Sequence, residues 1–284
     1  MDILVTGCTG FLASNTIRSM LIKKHRVYCT SRDKKCRFHN TNESVNNITY
    51  DMSKPINLND FPLNIDAIYH IAATMDKSLD PASILAVNTL STSELVKYGQ
   101  HAKAQNFIYI STCGVYGYSD EIMDETYCVH PSGFYHLSKY LSEEIVKVYK
   151  NFFKNTVILR LAFPYGRGQK RGLIPLFIQK INTGMPITIY NPKNPQKINP
   201  VRIEDVMKAL LASLKLNGHN IFNISSDSIM TIRDIAEKIS EKIRIKAIYN
   251  EIEDENIKSM IADNRLMKEK LNIIPAKFNI NDIV

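Results

Sequence analysis

Tyr135 and Lys139 stand four residues apart in the stretch Tyr135-His136-Leu137-Ser138-Lys139. Four residues bring a helix back to the same face, so the phenol and the ammonium can point at one site. A cation beside a phenol stabilises the phenolate and draws the tyrosine pKa from ~10 towards neutrality, where it serves as a general acid or base. Such a pair is common on helix surfaces. Its meaning depends on what the rest of the chain brings to it.

The first such feature is Ile3-Leu4-Val5-Thr6-Gly7-Cys8-Thr9-Gly10-Phe11-Leu12-Ala13. Three apolar residues in a row read as a strand buried on both faces, and the glycines break it before a helix that begins near Leu12 and runs to about Lys24. Gly7 permits a tight turn, Gly10 lets backbone approach a pyrophosphate, and Ala13 lets the helix press on the strand. The N–H groups and positive dipole end of the helix make an anion site, so the stretch reads as a dinucleotide site. A second strand, His25–Arg32, ends ~20 positions past the glycines, where an NAD site places an acid for the ribose hydroxyls. Ser31 and Arg32 stand there instead, and a hydroxyl with a guanidinium can hold a 2′-phosphate through charge-assisted hydrogen bonds. NADP(H) is therefore favoured and NAD(H) stays open.

Further strands are expected at Ile48–Met52, with Asp51 placed for the adenine amino group, at Ile65–Ala73, and at Phe107–Ile110 leading into Ser111-Thr112-Cys113-Gly114-Val115-Tyr116-Gly117. Ala72 and Ala73 are small enough to admit a cofactor, whereas His70, inside an apolar strand with no acid nearby, reads as structural. A helix over Ile84–His101 carries Asn88. Strands alternating with helices mean an α/β fold with a doubly wound parallel sheet, whose ligands bind at the strand carboxyl ends. The expected organisation is a Rossmann domain over 1–166 with 200–225, and a smaller, largely C-terminal substrate-binding lobe over 167–199 with 226–284. In that lobe Thr231-x-x-Asp234 reads as a helix start before Ile235–Ile243, and Ala262–Leu271 reads as a short helix.

With 284 residues, 44% hydrophobic and 23% charged, the composition is that of a globular chain with ample core. No apolar segment approaches ~20 residues and no leader-like start is seen, so no membrane partner and a cytoplasmic location are expected. The net charge of +8 comes without an arginine-rich or aromatic-and-basic stripe, and nucleic acid is not an expected partner. The five cysteines have neither disulfide-framework nor zinc spacing, so free thiols and no metal site are expected.

Taken in order, Thr6-Gly-x-x-Gly-Phe-Leu-Ala13, Asp51, His70-Ile-Ala-Ala73, Asn88, Ser111–Gly117, Tyr135-x-x-x-Lys139, Leu159-Arg160 and Pro164-Tyr165-Gly166 resemble the extended short-chain dehydrogenase/reductase family, the NAD(P)-dependent epimerase/dehydratase group. The resemblance covers nearly the whole chain. It implies hydride exchange with a nicotinamide while Tyr135 exchanges a proton with a substrate hydroxyl or ketone. Lys139 would hold the nicotinamide ribose and lower the tyrosine pKa, Thr112 would bond the reacting oxygen, and Pro164 would line the nicotinamide pocket. The implied cofactor contacts are Gly7, Thr9, Gly10, Phe11, Leu12, Ser31, Arg32, Asp51, Met52, Ala72, Ala73, Asn88, Tyr135, Lys139 and Pro164. For the substrate they are Thr112, Cys113, Phe163, Arg171 and Lys197. The substrate class the resemblance implies is a nucleotide-linked sugar, and related enzymes often dimerise through two helices per subunit, which leaves a homodimer open.

Departures from the family pattern narrow the chemistry. Sugar-nucleotide 4,6-dehydratases follow the active threonine with Asp-Glu, and Cys113 and Gly114 stand at those positions, so elimination by that route is not expected. Many epimerases carry an asparagine where this chain has Phe163 and an arginine where it has Ile198. Arg167, Lys170, Arg171, Lys193 and Lys197 either replace that charge or face solvent. Three classes stay open: an NADPH-linked reductase of a keto-sugar nucleotide, which the Ser31-Arg32 pair favours, an epimerase that regenerates its cofactor, and a non-catalytic NADP sensor.

Overall fold

Strands without polar alternation need cover on both faces, and the central ones here find it: Ile3, Leu4, Val5, Ile68, Tyr69, Phe107, Tyr109 and Ile158 are wholly buried. The structure, a computed structural model, describes residues 1–32, 38, 44–76 and 78–283, so Cys36 lies outside the described residues. The chain runs β1 (Asp2–Thr6), α1 (Phe11–Ile22), β2 (Arg26–Ser31), β3 (Val45–Thr49), β4 (Ala67–His70), α2 (Pro81–Leu85), α3 (Ser91–His101) and β5 (Asn106–Thr112). It continues with β6 (Ile122–Met123), α4 (Gly133–Val148), β7 (Asn155–Leu161), α5 (Leu173–Asn182), β8 (Ile187–Tyr190) and β9 (Lys197–Ile198). The remainder is α6 (Ile203–Ser213), β10 (Gly218–Ile224), β11 (Met230–Thr231), α7 (Ile232–Ile243), β12 (Tyr249–Ile252), β13 (Ile261–Ala262) and α8 (Arg265–Leu271).

Seven strands form one sheet in the order β10-β7-β5-β4-β1-β2-β3, and β3, β2, β1, β4 and β5 pair in parallel register. The order reverses between β1 and β4, which opens the crevice where such sheets bind ligands. This is the expected Rossmann-like, doubly wound arrangement. α1 lies against the sheet through Ala13, Ile17 and Met20, all buried. β3 comes three residues earlier than expected because its pairing with β2 ends at Ser31↔Thr49, which leaves Asp51 and Met52 beyond the strand end. β4 stops at His70 because the N–H groups of Ile71 and Ala72 leave the ladder for the Thr6 hydroxyl. The helix expected from Ile84 starts at Pro81, capped by Asp80, and passes through a π-turn over Ala86–Leu90 on its way into α3.

The chain divides into two compact units. The first holds Met1–Val115, Pro131–Arg160 and Met207–Phe222, and the second Tyr116–His130, Leu161–Val206 and Asn223–Val284. Besides 161–166, 200–206 and 223–225, the segment 116–130 thus belongs with the second unit. β6 pairs with β13, and Asn223 stitches the segment in, its amide donating to the Met123 carbonyl at 3.0 Å and its N–H to Glu125 at 2.7 Å. α7 opens on the capping box foreseen for Thr231 and Asp234. The second short helix is α8, starting only at Arg265 because Ala262 is in β13. Among the described residues no helix is long and apolar enough to cross a membrane.

Candidate active site

The turn after β1 is built around the absence of side chains. Gly7 has φ +76°, and a β-carbon there would lie 2.8 Å from the Ala72 β-carbon; one on Gly10 would lie 3.2 Å from the Gly7 carbonyl oxygen. The Gly7 and Cys8 N–H groups both donate to the Thr30 carbonyl, at 3.1 and 3.0 Å, tying the turn to β2. Gly10 caps α1 without a side-chain hydrogen bond, with Thr9 and Gly10 exposed and Phe11 and Leu12 half-buried. A glycine cradle ending on a helix start with no side-chain cap fits a dinucleotide pyrophosphate.

His70 is explained by its bonds. Thr92 donates to the Asn88 carbonyl at 2.8 Å, so its oxygen accepts from His70 Nε2 at 2.9 Å; Nδ1, 3.1 Å from Thr6 Oγ1, then accepts the Thr6 hydroxyl. Thr6 Oγ1 in turn accepts the N–H groups of Ile71 and Ala72 at 3.0 Å. Burial, helped by Lys139, lowers the His70 pKa, so the ring is neutral and structural, as the sequence suggested. Asn88 holds rather than points: its amide bonds Thr74 on both sides, at 2.7 and 3.0 Å, and donates to Ser138 Oγ at 2.9 Å. It joins the segment after Ala73 to α4, one turn from Tyr135.

α4 carries the pair on which the chemistry turns. Tyr135 is half-buried, and loss of solvent pushes its pKa up to about 12. Lys139 is 2% exposed, with its ammonium 4.1 Å above the Tyr109 ring. Burial lowers its pKa to about 7, against the pull of the Glu143 carboxylate. The expected lowering of the tyrosine pKa by the lysine is not what this geometry gives: desolvation alone moves Tyr135, and it moves it upward. Beneath them Glu143 receives both Nε and a terminal nitrogen of Arg160 (3.1 and 2.7 Å), accepts the Ser111 hydroxyl, and is fully buried. That fork ties β5, α4 and β7 together. Thr112 ends β5, its hydroxyl accepting the Gly114 N–H at 3.1 Å.

The other sequence candidates divide. Ser31 is buried and donates to Asn47 Oδ1 at 3.1 Å, while Arg32 is exposed at the strand end. Asp51 accepts the Ser53 N–H and hydroxyl, which lower its pKa, and Met52 is buried behind it. Cys113 departs from its expected substrate role: it is 1% exposed, and its thiol donates to the Arg160 carbonyl at 3.2 Å, which turns the side chain away from any ligand. Cys8, Cys29, Cys113 and Cys128 are in no disulfide. In the second unit Phe163 has φ +43°, a conformation asparagine tolerates better than a bulky side chain, and the Pro164 carbonyl accepts from Gln169 at 3.0 Å. Arg171 and Lys197 are exposed, whereas Ile198 is wholly buried. His136 was missed; its ring packs on Gly114, a contact no sequence spacing announces.

Residues 3–225 match the model of the NAD dependent epimerase/dehydratase family. The chain is 32% identical to an Escherichia coli dTDP-4-dehydro-6-deoxyglucose reductase over 199 residues, which are 65% of this chain and only 61% of that enzyme's length. It is 30% identical to human dTDP-D-glucose 4,6-dehydratase over 269 residues, 89% of this chain and 77% of the relative. A Bacillus cereus UDP-glucuronic acid 4-epimerase solved with NAD superimposes with a TM-score of 0.86 at 25% identity, covering 99% of this chain and 95% of that one. MoeE5, solved with UDP-glucose and NAD, gives a TM-score of 0.86 at 22% identity over 99% of this chain and 96% of its own. The glycine cradle, the Tyr135–Lys139 pair and the extent of these matches lead to one assignment: the chain belongs to the NAD-dependent epimerase/dehydratase family, enzymes of the extended short-chain dehydrogenase/reductase type.

Proposed function

We propose that this chain is an NADPH-dependent reductase of a keto-sugar nucleotide. The observation that carries the reading is the α4 face shared by Tyr135 and Lys139, together with the glycine turn after β1 and with Cys113 and Gly114, not carboxylates, after Thr112. A phenol protonated throughout the neutral range is a proton donor, which is what a ketone becoming an alcohol needs. Gly7, Gly10 and the start of α1 would hold the pyrophosphate, Arg32 would meet the 2′-phosphate, Asp51 would meet the adenine, and Lys139 would bind the nicotinamide ribose. Bound there, the nicotinamide supplies hydride-transfer chemistry. Tyr135 gives its proton to the substrate oxygen, and the Thr112 hydroxyl holds that oxygen in line. Cys113 and Gly114 offer no carboxylate for elimination, and the Escherichia coli relative named as a reductase supports the same direction.

An epimerase with retained NAD is the second reading, and one observation favours it: the Ser31 hydroxyl is engaged by Asn47, so only Arg32 argues for the 2′-phosphate. Stoichiometric NADPH and a panel of nucleotide-linked 4-keto-6-deoxy sugars separate the two. Loss of reduced-nicotinamide absorbance matched by one new alcohol supports reduction. Interconversion of two sugar-nucleotide epimers with NADPH unchanged supports the alternative.

A further inference from the structure

Gly114, two residues past Thr112, is buried, and a side chain there has no room. A β-carbon on it would lie 2.3 Å from Nε2, 2.5 Å from Cδ2 and 2.9 Å from Cε1 of His136. Its φ is outside the left-handed region, so the backbone makes no demand for glycine at this position; the imidazole does. An imidazole from α4 thus occupies the volume that a residue-114 side chain would take, on the loop after Thr112 and next in sequence to Tyr135, whose ring centroid is 5.4 Å from its own.

The hydrogen bonds fix its tautomer. Nδ1 lies 2.8 Å from the Ser132 carbonyl oxygen, which can only accept, so Nδ1 carries the proton. Burial lowers the ring's pKa against the pull of that bond, and the ring is neutral at pH 7. Gly114 lies against the ring face nearest Nε2, so the in-plane lone pair of Nε2 is not spent on it, and among the described residues Nε2 has no hydrogen-bond partner.

We propose that His136 is a specificity-determining residue of this site, its Nε2 accepting a hydrogen bond from a sugar hydroxyl of the substrate beside the carbon that Thr112 and Tyr135 act on. The assignment rests on the nucleotide-sugar reading above. A site built to pair with a hydroxyl rejects an analogue lacking it, because the acceptor is then left desolvated and unpaired. Gly114 is the companion requirement, since any larger residue would drive the ring from its place.

The test is calorimetry on the full chain saturated with NADPH, using dTDP against dTDP-glucose and UDP against UDP-glucose. His136→Ala should weaken the better-bound sugar nucleotide by about 10-fold or more, while NADPH and the bare nucleoside diphosphate stay within about two-fold. His136→Gln, whose amide oxygen can accept, should recover part of the loss. Gly114→Ala should reproduce the loss by displacing the ring, and the double variant should be no worse than either single one. Unchanged sugar-nucleotide affinity in His136→Ala overturns the assignment, as does an equal loss for the bare diphosphate. So does additive loss in the double variant, or a wild-type chain that gains nothing from the glucosyl group. A wild-type chain that binds neither diphosphate nor sugar nucleotide removes the nucleotide-sugar reading itself, and this assignment with it.

Discussion

Tyr135 and Lys139 differ in what their surroundings do to them, and each difference is measurable. Tyr135→Phe removes only the proton donor, so it should leave folding and NADPH affinity near normal and lower turnover by ~100-fold or more. Near-normal turnover on the true substrate would take Tyr135 out of its role. Lys139 has a pKa of about 7 in the folded chain against an ordinary 10.5, so between those values the unfolded chain binds more protons than the folded one. Its destabilising effect is full below about pH 7 and is relieved as pH rises towards 10.5. Relative to Lys139→Met, the wild type should gain on the order of 1 kcal/mol of stability per pH unit above neutrality, read from urea unfolding at about pH 7 and 9. A gap between the two that does not change with pH would contradict the burial argument. The pair was legible in the sequence, because four residues on a helix fix a face. The direction of the tyrosine shift was not, because it depends on how much water the fold removes. His136 was hidden for a similar reason: its partner Gly114 is 22 positions away on another element.

At the scale of elements, the turn between β1 and α1 separates conformational need from spatial need. Gly7 sits at φ +76° with Ala72 closing on it at 2.8 Å, whereas Gly10 has an ordinary φ of −77° and an ideal β-carbon 3.2 Å from the Gly7 oxygen. Gly7→Ala should therefore cost about 1–3 kcal/mol of stability and weaken NADPH binding. Gly10→Ala should cost less stability but still weaken binding, because it narrows the path of backbone to the phosphates. Urea midpoints and an NADPH titration on each variant check this, and equal stability losses would contradict it. The strands were legible where apolar runs are long and buried, as at β1, β4 and β5. Their ends were not, because β3 stops where its partner β2 stops and β4 stops where Thr6 captures two N–H groups. The π-turn at Asn88 left no mark in the residue pattern, since it depends on a side chain bonded to both Thr74 and Ser138.

The allocation of 116–130 to the second unit was not legible in the sequence, since it depends on β6 finding β13 about 140 residues away and on Asn223 binding Met123 and Glu125. Pairings of such separation have no local signature. On the whole chain, the proposed reaction is net reduction, in which hydride would pass to the substrate ketone and Tyr135 would supply the proton. The most direct measurement is a single turnover with NADPH deuterated at the transferable nicotinamide position and a dTDP-linked 4-keto-6-deoxy sugar, the product being weighed by mass spectrometry. Net reduction predicts one deuterium in the product sugar and one NADPH oxidised per alcohol formed, with both lost in Tyr135→Phe. Interconversion of sugar-nucleotide epimers without deuterium gain and with NADPH intact would contradict it.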